Sequence, residues 1–326
     1  MLQPRVSFIL LAYKQEAFVR AAVEGALVQD YPNLQLLISD DCSPDATFAV
    51  MEDAVAGYRG PHDVTVLRTP YNMGLSKHLQ TLVERAEGEL IILAAGDDIS
   101  LPERTSRLVE AWQADGSGPA VLYSDYGMIN LAGEVIAERS PVIRREPPSF
   151  DQACRGDLDV HGASTAITAS LFKRFPPISP DVIHEDRVLP FRALLLGGKV
   201  VFVAEPLVHY RFEGGVSRMP MDPVEVSLFW LKGQQRGLQD ARQRLADLTH
   251  IRPQDADAQR LCRATVRKHQ TAITFGEASP RAYELVLLRQ LARGGDRFGV
   301  VRNYLRVRLK SLGVLNLLRS VRGRTS

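Results

Sequence analysis

Strand patterns and helix patterns alternate four times within residues 5–116, and this alternation limits the possible folds more than any other feature of the sequence. Four apolar runs predict buried strands: RVSFILLAY, LQLLIS, DVTVLRT and ELIILAA. Each is followed by a stretch with apolar residues at helical spacing: EAFVRAAVEGALVQ, ATFAVMEDAVAGY, KHLQTLVERAEG and LPERTSRLVEAWQADG. Consecutive strand–helix units predict an α/β fold with a doubly wound, mostly parallel sheet flanked by helices.

The pattern changes after these four units. The segment AVLYSDYGMINLAGEVIA predicts two strands joined by a turn around Gly133, and the sequence from Met221 onward is mainly helical. We therefore expect an α/β domain over residues 1–215 and a mainly helical region over residues 216–326. A chain of 326 residues is long enough for one large or two modest domains.

Cysteine usage and hydropathy indicate an intracellular protein. The three cysteines, Cys42, Cys154 and Cys262, are too few and too scattered for a disulfide framework or a CxxC metal site. No run approaches the roughly 20 apolar residues of a membrane span, and the N-terminal apolar run lacks a small-residue cleavage site. We expect a cytoplasmic location.

Polar residues follow the predicted strands where an α/β sheet binds its ligands, beyond the carboxyl ends. They are Tyr13 to Glu16 after the first strand, Asp40 and Asp41 after the second, Asn72 and Gly74 after the third, and Asp97 and Asp98 after the fourth. A GxGxxG motif after the first strand is absent, as is a Walker A motif, which argues against a dinucleotide-dependent oxidoreductase. Carboxylates at these positions instead predict a nucleotide diphosphate neutralised by a divalent cation.

Four segments, in this order, resemble the family 2 glycosyltransferases of the GT-A fold: VSFILLAYKQEAFVRAAVEGALVQDYPNLQLLISDDCSPDAT, NMGLS, AAGDDISLPER and HEDRVLPFRALLLGG. The resemblance covers about residues 4 to 215. It implies transfer of a sugar from a nucleotide-diphosphate donor, a UDP-sugar foremost, to an acceptor hydroxyl with inversion at the anomeric carbon. It also implies Mg²⁺ or Mn²⁺ as cofactor, a glycan or lipid-linked acceptor in bacterial cell-surface polysaccharide or glycolipid synthesis, and no nucleic acid partner.

The resemblance assigns roles to individual residues. Those implied to bind the nucleotide donor are Ala12, Tyr13, Glu16, Asp40, Asp41, Asn72, Gly74, Asp97 and Arg211. Asp98 is implied to hold the metal, with Asp97 beside it. Two positions depart from the family pattern: Ala95 replaces the first acid of Asp-x-Asp-Asp, and Glu213 stands where relatives often have histidine. Glutamate can bind Mg²⁺ or Mn²⁺, so Glu213 is a further candidate ligand.

A second acidic pair, Glu185 and Asp186, precedes the apolar run RVLPFRALLLGG. Pro190 near its start and Gly197 at its end predict a helix with the pair at its N-terminus. An inverting transfer needs a carboxylate that accepts the proton of the attacking hydroxyl. The resemblance gives this catalytic role to Asp186, with Glu185 as its neighbour.

Other interpretations of these residues stay open at this point. Asp40, Asp41 and Asp45 are typical helix caps, Glu185 and Asp186 are favourable partners for a helix dipole, and Asn72 with Gly74 is typical of a turn. The missing acid at Ala95 and the replacement at Glu213 suit a non-catalytic sugar-nucleotide-binding relative.

The C-terminal tail is strongly basic. From Arg297 onward it contains eight Arg or Lys and no Asp or Glu, while the rest of the chain has 32 basic and 38 acidic residues. Apolar residues form one stripe at helical spacing: Val301, Leu305, Leu309, Leu312 and Leu315. Such a helix either docks on the catalytic domain or contacts the anionic inner face of the plasma membrane.

Overall fold

The structure is a computed structural model, and it describes residues 3–158, 160–212 and 223–277. Among these, residues 3–212 without 159, together with Gln239–Thr265, form one compact unit. The remaining described residues, 223–238 and 266–277, belong to a second unit. Glu213 and the basic tail from Arg297 lie outside the described residues.

The four predicted strand–helix units and the predicted hairpin are present, together with elements that the sequence did not predict. The strands of the described residues are β1 (Val6–Ala12), β2 (Leu34–Asp40), β3 (Asp63–Arg68), β4 (Leu90–Ala95), β5 (Ile99–Ser100), β6 (Ala120–Ile129), β7 (Val135–Ala137), β8 (Thr165–Thr168) and β9 (Lys199–Arg211). The α-helices are α1 (Val19–Leu27), α2 (Thr47–Val55), α3 (Leu75–Val83), α4 (Arg104–Ala114), α5 (Phe150–Cys154), α6 (Ser170–Lys173), α7 (Leu189–Leu195), α8 (Pro223–Ile251) and α9 (Ala256–Glu277). Two 3-10 turns cover Gly162–Ser164 and Glu185–Arg187.

The first four strands of the repeating units are parallel and lie in the order β3-β2-β1-β4. Ala12 pairs with Asp40, and Leu11 pairs with Ala95, so the carboxyl ends of β1, β2 and β4 are level with one another. This register brings the predicted strand-end acids to one edge of the sheet. Strand pairing there agrees with the prediction from the alternating pattern.

Beyond β4 the sheet becomes mixed. Strand β8 is antiparallel to both β4 and β6, β9 is parallel to β6, and β5 closes the order as an antiparallel partner of β9. The predicted hairpin is present: β6 and β7 are antiparallel and Gly133 lies in the turn between them. The βα periodicity therefore describes only the first half of the sheet.

Both faces of the parallel strands are buried under helices. Phe8 and Leu10 of β1 pack in a cluster with residues of α1, α2 and α4, whereas Ile9 packs in another cluster with residues of α3 and α7. Alternate side chains of one strand thus enter opposite cores. Coverage on both faces explains why these strands are continuous apolar runs.

Residues 239–265 of the helical region belong to the same unit as the sheet. Leu248 of α8 and Cys262 of α9 pack in one apolar cluster with Phe191 of α7 and Cys154 of α5. The domain division at residue 215 stays a prediction. The structure adds that part of the helical region supports α7, which follows the second acidic pair.

Candidate active site

Asp41 joins the loop after β2 to the loop after β3. Its Oδ1 accepts hydrogen bonds from the backbone N–H of Met73 at 2.9 Å and from Thr69 Oγ1 at 3.0 Å, and its Oδ2 accepts the backbone N–H of Gly74 at 2.9 Å. Gly74 has φ of +77°, a conformation that favours glycine. The polar groups that the sequence places after the second and third strands are therefore in contact, and Asn72 lies in the same loop.

Asp40 is fully buried at the end of β2. Its Oδ2 accepts the backbone N–H of Ser43 at 2.9 Å and lies 3.3 Å from Arg68 Nε. Arg68 also donates to the Ser43 carbonyl at 2.7 Å and lies over the ring of Phe48. Sequence reasoning missed Arg68, although its position at the end of the third strand was the signal that could have found it.

The loop after β1 borders the same edge. Tyr13 is 41% exposed there, whereas Ala12 is buried. Glu16 Oε2 accepts the backbone N–H of Ala46 at 2.9 Å, next to the start of α2. Asp45 Oδ1 accepts from both the backbone N–H and the hydroxyl of Thr47, at 3.1 and 2.6 Å, and so forms a local turn just before α2, whose N-cap is Ala46.

Asp97 and Asp98 follow β4, and Asp98 is nearly inaccessible to solvent. Asp98 Oδ1 accepts the backbone N–H of Arg211 at 2.8 Å. Burial, and secondarily the charge of Asp97, raise the pKa of Asp98 to about 7, and burial raises the pKa of Asp97. Two adjacent carboxyls whose ionised forms are disfavoured form a natural position for a cation.

Among the described residues, no group of three or more His, Cys, Asp or Glu is arranged to hold a metal. This result is compatible with the donor set of Asp97 and Asp98, because Mg²⁺ in nucleotide sites is usually bound by one or two carboxylates plus substrate phosphates and water. The pair fits a cation that arrives with a diphosphate.

The guanidinium of Arg211 bonds to backbone carbonyls. Arg211 Nε donates to the Asp97 carbonyl at 3.0 Å, and Nη1 donates to the carbonyls of Asn130 and Leu131 at 2.7 and 2.9 Å. The group also lies over the ring of Phe18, 4.5 Å from its centroid. These contacts tie the β6–β7 turn to the Asp97–Asp98 loop, and a contact from Arg211 to a diphosphate stays a prediction.

Glu185 and Asp186 form the 3-10 turn before α7, and we call Glu185–Arg187 the acidic turn. Pro190 lies in the first turn of α7. Burial, followed by the charge of Asp186, raises the pKa of Glu185 to about 8. Glu185 Oε2 is a buried atom with no hydrogen-bond partner within the part of the chain that the structure describes. Glu185 therefore holds a proton near neutral pH.

Gly162 packs directly against the acidic turn. A Cβ at this position would lie 3.3 Å from Glu185 Oε1 and 3.4 Å from Asp186 Oδ2. The absence of a side chain thus keeps space beside both carboxyl groups. The sequence alone did not single out Gly162, because its importance depends on a residue more than twenty positions away.

Tyr126, His161 and Tyr210 form an aromatic cluster. The His161 ring is 4.2 Å from that of Tyr126 and 4.6 Å from that of Tyr210. Burial, then the charges of Asp98 and Asp97, raise the pKa of Tyr210 to about 12, and His161 adjoins Gly162. Tyr210 therefore lies near the first acidic pair, and the chain leads from His161 directly to Gly162, which packs against the acidic turn.

Arg104 is a fully buried cation that bonds to the backbone of β4 and of the 3-10 turn Gly162–Ser164. It donates to the carbonyls of Leu93 and Ala163 at 2.6 and 2.9 Å and to Ser100 Oγ at 2.8 Å. Burial lowers the pKa of Arg104 to about 9. Burial also lowers the pKa of His161, to about 4, and the positive charge of Arg104 contributes to this shift. His161 is consequently neutral at physiological pH.

The sequence profile described as Glycosyl transferase family 2 matches residues 7–170, half of the chain. The chain belongs to this family. Among its relatives is the succinoglycan biosynthesis protein ExoO of Rhizobium meliloti, 27% identical over 66% of this chain and 63% of that protein. Another is the Escherichia coli glucosyltransferase WfgD, 26% identical over 40% of this chain and 51% of that protein. The chain thus spans between about half and two thirds of the length of these family members.

Solved structures resemble this chain over most of its length. The Staphylococcus aureus TarS 1-349 complex with UDP gives a TM-score of 0.56 at 13% identity, covering 87% of this chain and 78% of that chain. The mannosyltransferase PcManGT of Pyrobaculum calidifontis, with GDP-Man and Mn²⁺, gives 0.54 at 15% identity, covering 97% and 88%. The GT-A α/β fold predicted from the sequence is confirmed.

Proposed function

We propose that this family 2 protein is an inverting glycosyltransferase that moves a sugar from a nucleotide-diphosphate donor to an acceptor hydroxyl. The observation that carries the proposal is the presence of two separate acidic pairs: Asp97–Asp98 after β4, and Glu185–Asp186, which pack against Gly162. An inverting, metal-assisted transfer uses one acidic group to hold the cation at the leaving diphosphate and another to accept the proton of the nucleophile. The two pairs would supply these two groups.

We propose that Asp186 accepts the proton of the attacking hydroxyl. Glu185 is protonated near neutral pH because its pKa is raised to about 8, so it is unsuited to accept another proton. In the proposed step the acceptor oxygen attacks the anomeric carbon and gives its proton to Asp186. The bond from that carbon to the diphosphate oxygen breaks, and its electron pair leaves with the diphosphate.

The donor would bind at the carboxyl ends of β1, β2 and β4. We propose that the loop from Ala12 to Glu16 and the Asp40–Asp41 segment border the nucleotide, and that Asp97 and Asp98 hold Mg²⁺ or Mn²⁺. A bound cation would neutralise charge on the leaving diphosphate. The protein's own contribution is to keep two carboxyl groups adjacent, with Asp98 buried and fixed by the bond from the Arg211 backbone.

Similar proteins guide the choice of donor and acceptor. TarS has been crystallised with UDP and with UDP-GlcNAc, PcManGT with GDP-Man, and WfgD is named for transfer from UDP-Glc to GlcNAc-diphosphoundecaprenol. We propose a UDP-sugar donor and a glycan or lipid-linked acceptor in polysaccharide or glycolipid synthesis. Among the helices of the described residues, none is both long and apolar enough to span a bilayer. A separate observation, the eight Arg or Lys and no Asp or Glu of the basic tail, supports our proposal of peripheral contact with the anionic inner membrane face.

A donor panel with an active-site variant tests this function. Thermal shifts with UDP-glucose, UDP-GlcNAc and GDP-mannose, each with Mn²⁺, identify the donor, and release of free nucleotide measures its turnover. Asp186→Asn keeps the size of the side chain but removes the proton acceptor. We expect unchanged donor affinity and a loss of turnover by roughly 10²–10⁴-fold. Donor binding without any turnover in the unmodified protein would instead support the non-catalytic relative.

A further inference from the structure

The acidic turn is too short to fix its own position. It contains three residues, and its internal bonds are the backbone contacts from Arg187 N to the His184 carbonyl and from Val188 N to the Glu185 carbonyl, both 3.0 Å. Single 3-10 turns are weak structures whose geometry depends on what packs against them. The orientation of Asp186 must therefore come from contacts with other elements.

Helix α8 contacts both ends of this turn. Before the turn, His184 Nδ1 lies 2.9 Å from Asp240 Oδ2, and Asp240 is almost completely buried. At the last residue of the turn, Arg244 Nη1 donates to the carbonyl of Arg187 at 3.5 Å. Asp240 and Arg244 are four positions apart, so both project from the same face of α8.

A third contact anchors the segment leading to the turn. The backbone N–H of Ser179 donates to Gln243 Oε1 at 2.9 Å, and Gln243 in turn donates to Asp247 Oδ1 at 3.0 Å. Asp247 also forms a buried two-bond ion pair with Arg192 of α7, at 2.7 and 3.1 Å. One face of α8 thus holds the chain before, at and after the acidic turn.

We propose that Asp240 and Arg244 are positioning residues that fix the acidic turn at both ends and thereby orient Asp186 for proton transfer. The inference rests on the proposed function, in which Asp186 is the proton acceptor. It assigns a catalytic purpose to a helix that lies outside the residues matched by the family profile. Neither residue touches the reacting atoms.

Electrostatics around the turn supports the same arrangement. Glu185 is faced by Asp186 on its own turn and by Asp240 on α8, and both charges raise its pKa, after the effect of burial. Asp240 also favours the charged form of Arg244, whose pKa is nevertheless lowered by burial. His184 and Asp240 form the remaining ionisable pair. Removing the Asp240 charge should therefore move the titration of Glu185 towards lower pH.

The test combines local hydrogen exchange with turnover of the donor identified by the panel. Asp240→Ala, His184→Ala and Arg244→Ala each remove one contact, whereas His184→Asn retains an N–H donor close to the position of Nδ1. We expect faster amide exchange in peptides covering residues 183–190 and at least tenfold lower kcat for the alanine variants, with the donor KM within about twofold. His184→Asn should recover most of the turnover. The exposed Arg242→Ala, on the same helix, is the matched control for Arg244→Ala.

Several results would overturn the proposal. The first is unchanged amide exchange and unchanged turnover in the alanine variants. The second is a loss of turnover accompanied by an equal loss of donor binding. The third is faster amide exchange throughout the protein instead of in residues 183–190. If one variant does not fold, the other two still decide. Retained turnover in Asp186→Asn would refute the assigned base instead, because exchange in residues 183–190 reports the contacts with α8 independently.

Discussion

Asp98 Oδ1 accepts the backbone N–H of Arg211 at 2.8 Å, which joins the end of β4 to the end of β9 across 113 positions of sequence. Both partners are nearly inaccessible to solvent. Because the N–H bond uses one carboxylate oxygen and leaves the other to further ligands, this contact orients Asp98 without blocking a cation. The predicted cation-binding position therefore depends on two segments that are distant in sequence, the loop after β4 and the end of β9.

Nucleotide affinity should depend on a divalent cation through Asp98. Asp98→Asn removes the negative charge but keeps the oxygen that can accept from Arg211, so the fold should be retained. In titration calorimetry with UDP and Mn²⁺, we expect at least roughly tenfold weaker binding, and a comparable loss when EDTA is added to the unmodified protein. The control is Asp53→Asn, which makes the same chemical change at an exposed position of α2. Equal affinity with and without Mn²⁺ would contradict the metal assignment.

Asp41 should stabilise the fold as well as border the nucleotide. Both of its oxygens accept backbone N–H groups, from Met73 and Gly74, so an asparagine must present its NH₂ to one of these donors. We expect Asp41→Asn to lower the free energy of unfolding by about 1–3 kcal/mol in urea denaturation. Asp45→Asn is the matched control, since one amide oxygen can replace its two contacts to Thr47. Unchanged stability of Asp41→Asn would show that the loop anchors elsewhere.

A methyl group at Gly162 should impair chemistry more than folding. The added Cβ would lie 3.3–3.4 Å from the carboxyl oxygens of Glu185 and Asp186, so these groups must shift by a few tenths of an ångström. Small misplacements of reacting groups cost roughly tenfold to a hundredfold in rate. We expect such a loss of kcat in Gly162→Ala with unchanged UDP affinity. Gly118→Ala, where a Cβ meets nothing within 4 Å, should retain full activity.

Stability should fall as pH rises through the titration range of Glu185. The pKa of this carboxyl is raised from 4.5 to about 8 by burial and neighbouring charge, so the folded state binds more protons than the unfolded state between these values. The contribution of Glu185 is therefore fully present below about pH 4.5 and is lost as pH rises to about 8. Urea midpoints of the unmodified protein and Glu185→Gln should converge at pH 5 and diverge at pH 8, with the variant more stable. Parallel midpoints across this range would refute the shift.

The basic tail should bind anionic membranes. Truncation at Asp296 removes all eight basic residues that follow, and each basic residue near an anionic surface contributes about 1 kcal/mol. We expect the full-length protein to co-sediment with phosphatidylglycerol vesicles at low salt, to dissociate at high salt, and to lose this binding on truncation while still binding the donor. Absence of vesicle binding at low salt, or unfolding of the truncated protein, would indicate that the tail belongs to the folded core.

Local patterns determined a large part of this protein. Apolar periodicity predicted the strand and helix order through α4 and the hairpin at Gly133, because burial on one or both faces leaves a repeating signature in the sequence. The same patterns placed Asp40, Asp41, Asp97 and Asp98 at one edge, since parallel strands present their carboxyl ends together. The mixed pairing beyond β4 left no comparable signature, because the apolar pattern within a strand does not indicate which distant strand it pairs with or in which direction.

Contacts between distant residues were decided only by the tertiary structure. The guanidinium of Arg211 bonds to the carbonyls of Asn130 and Leu131, and Gly162 packs against Asp186, although nothing in the local sequence indicates either neighbour. His184 and Asp240 are 56 positions apart, on segments whose own periodicity predicts only helix and turn. Local sequence fixes which face of an element is buried. Which polar group meets another within that buried space depends on how all elements pack at once.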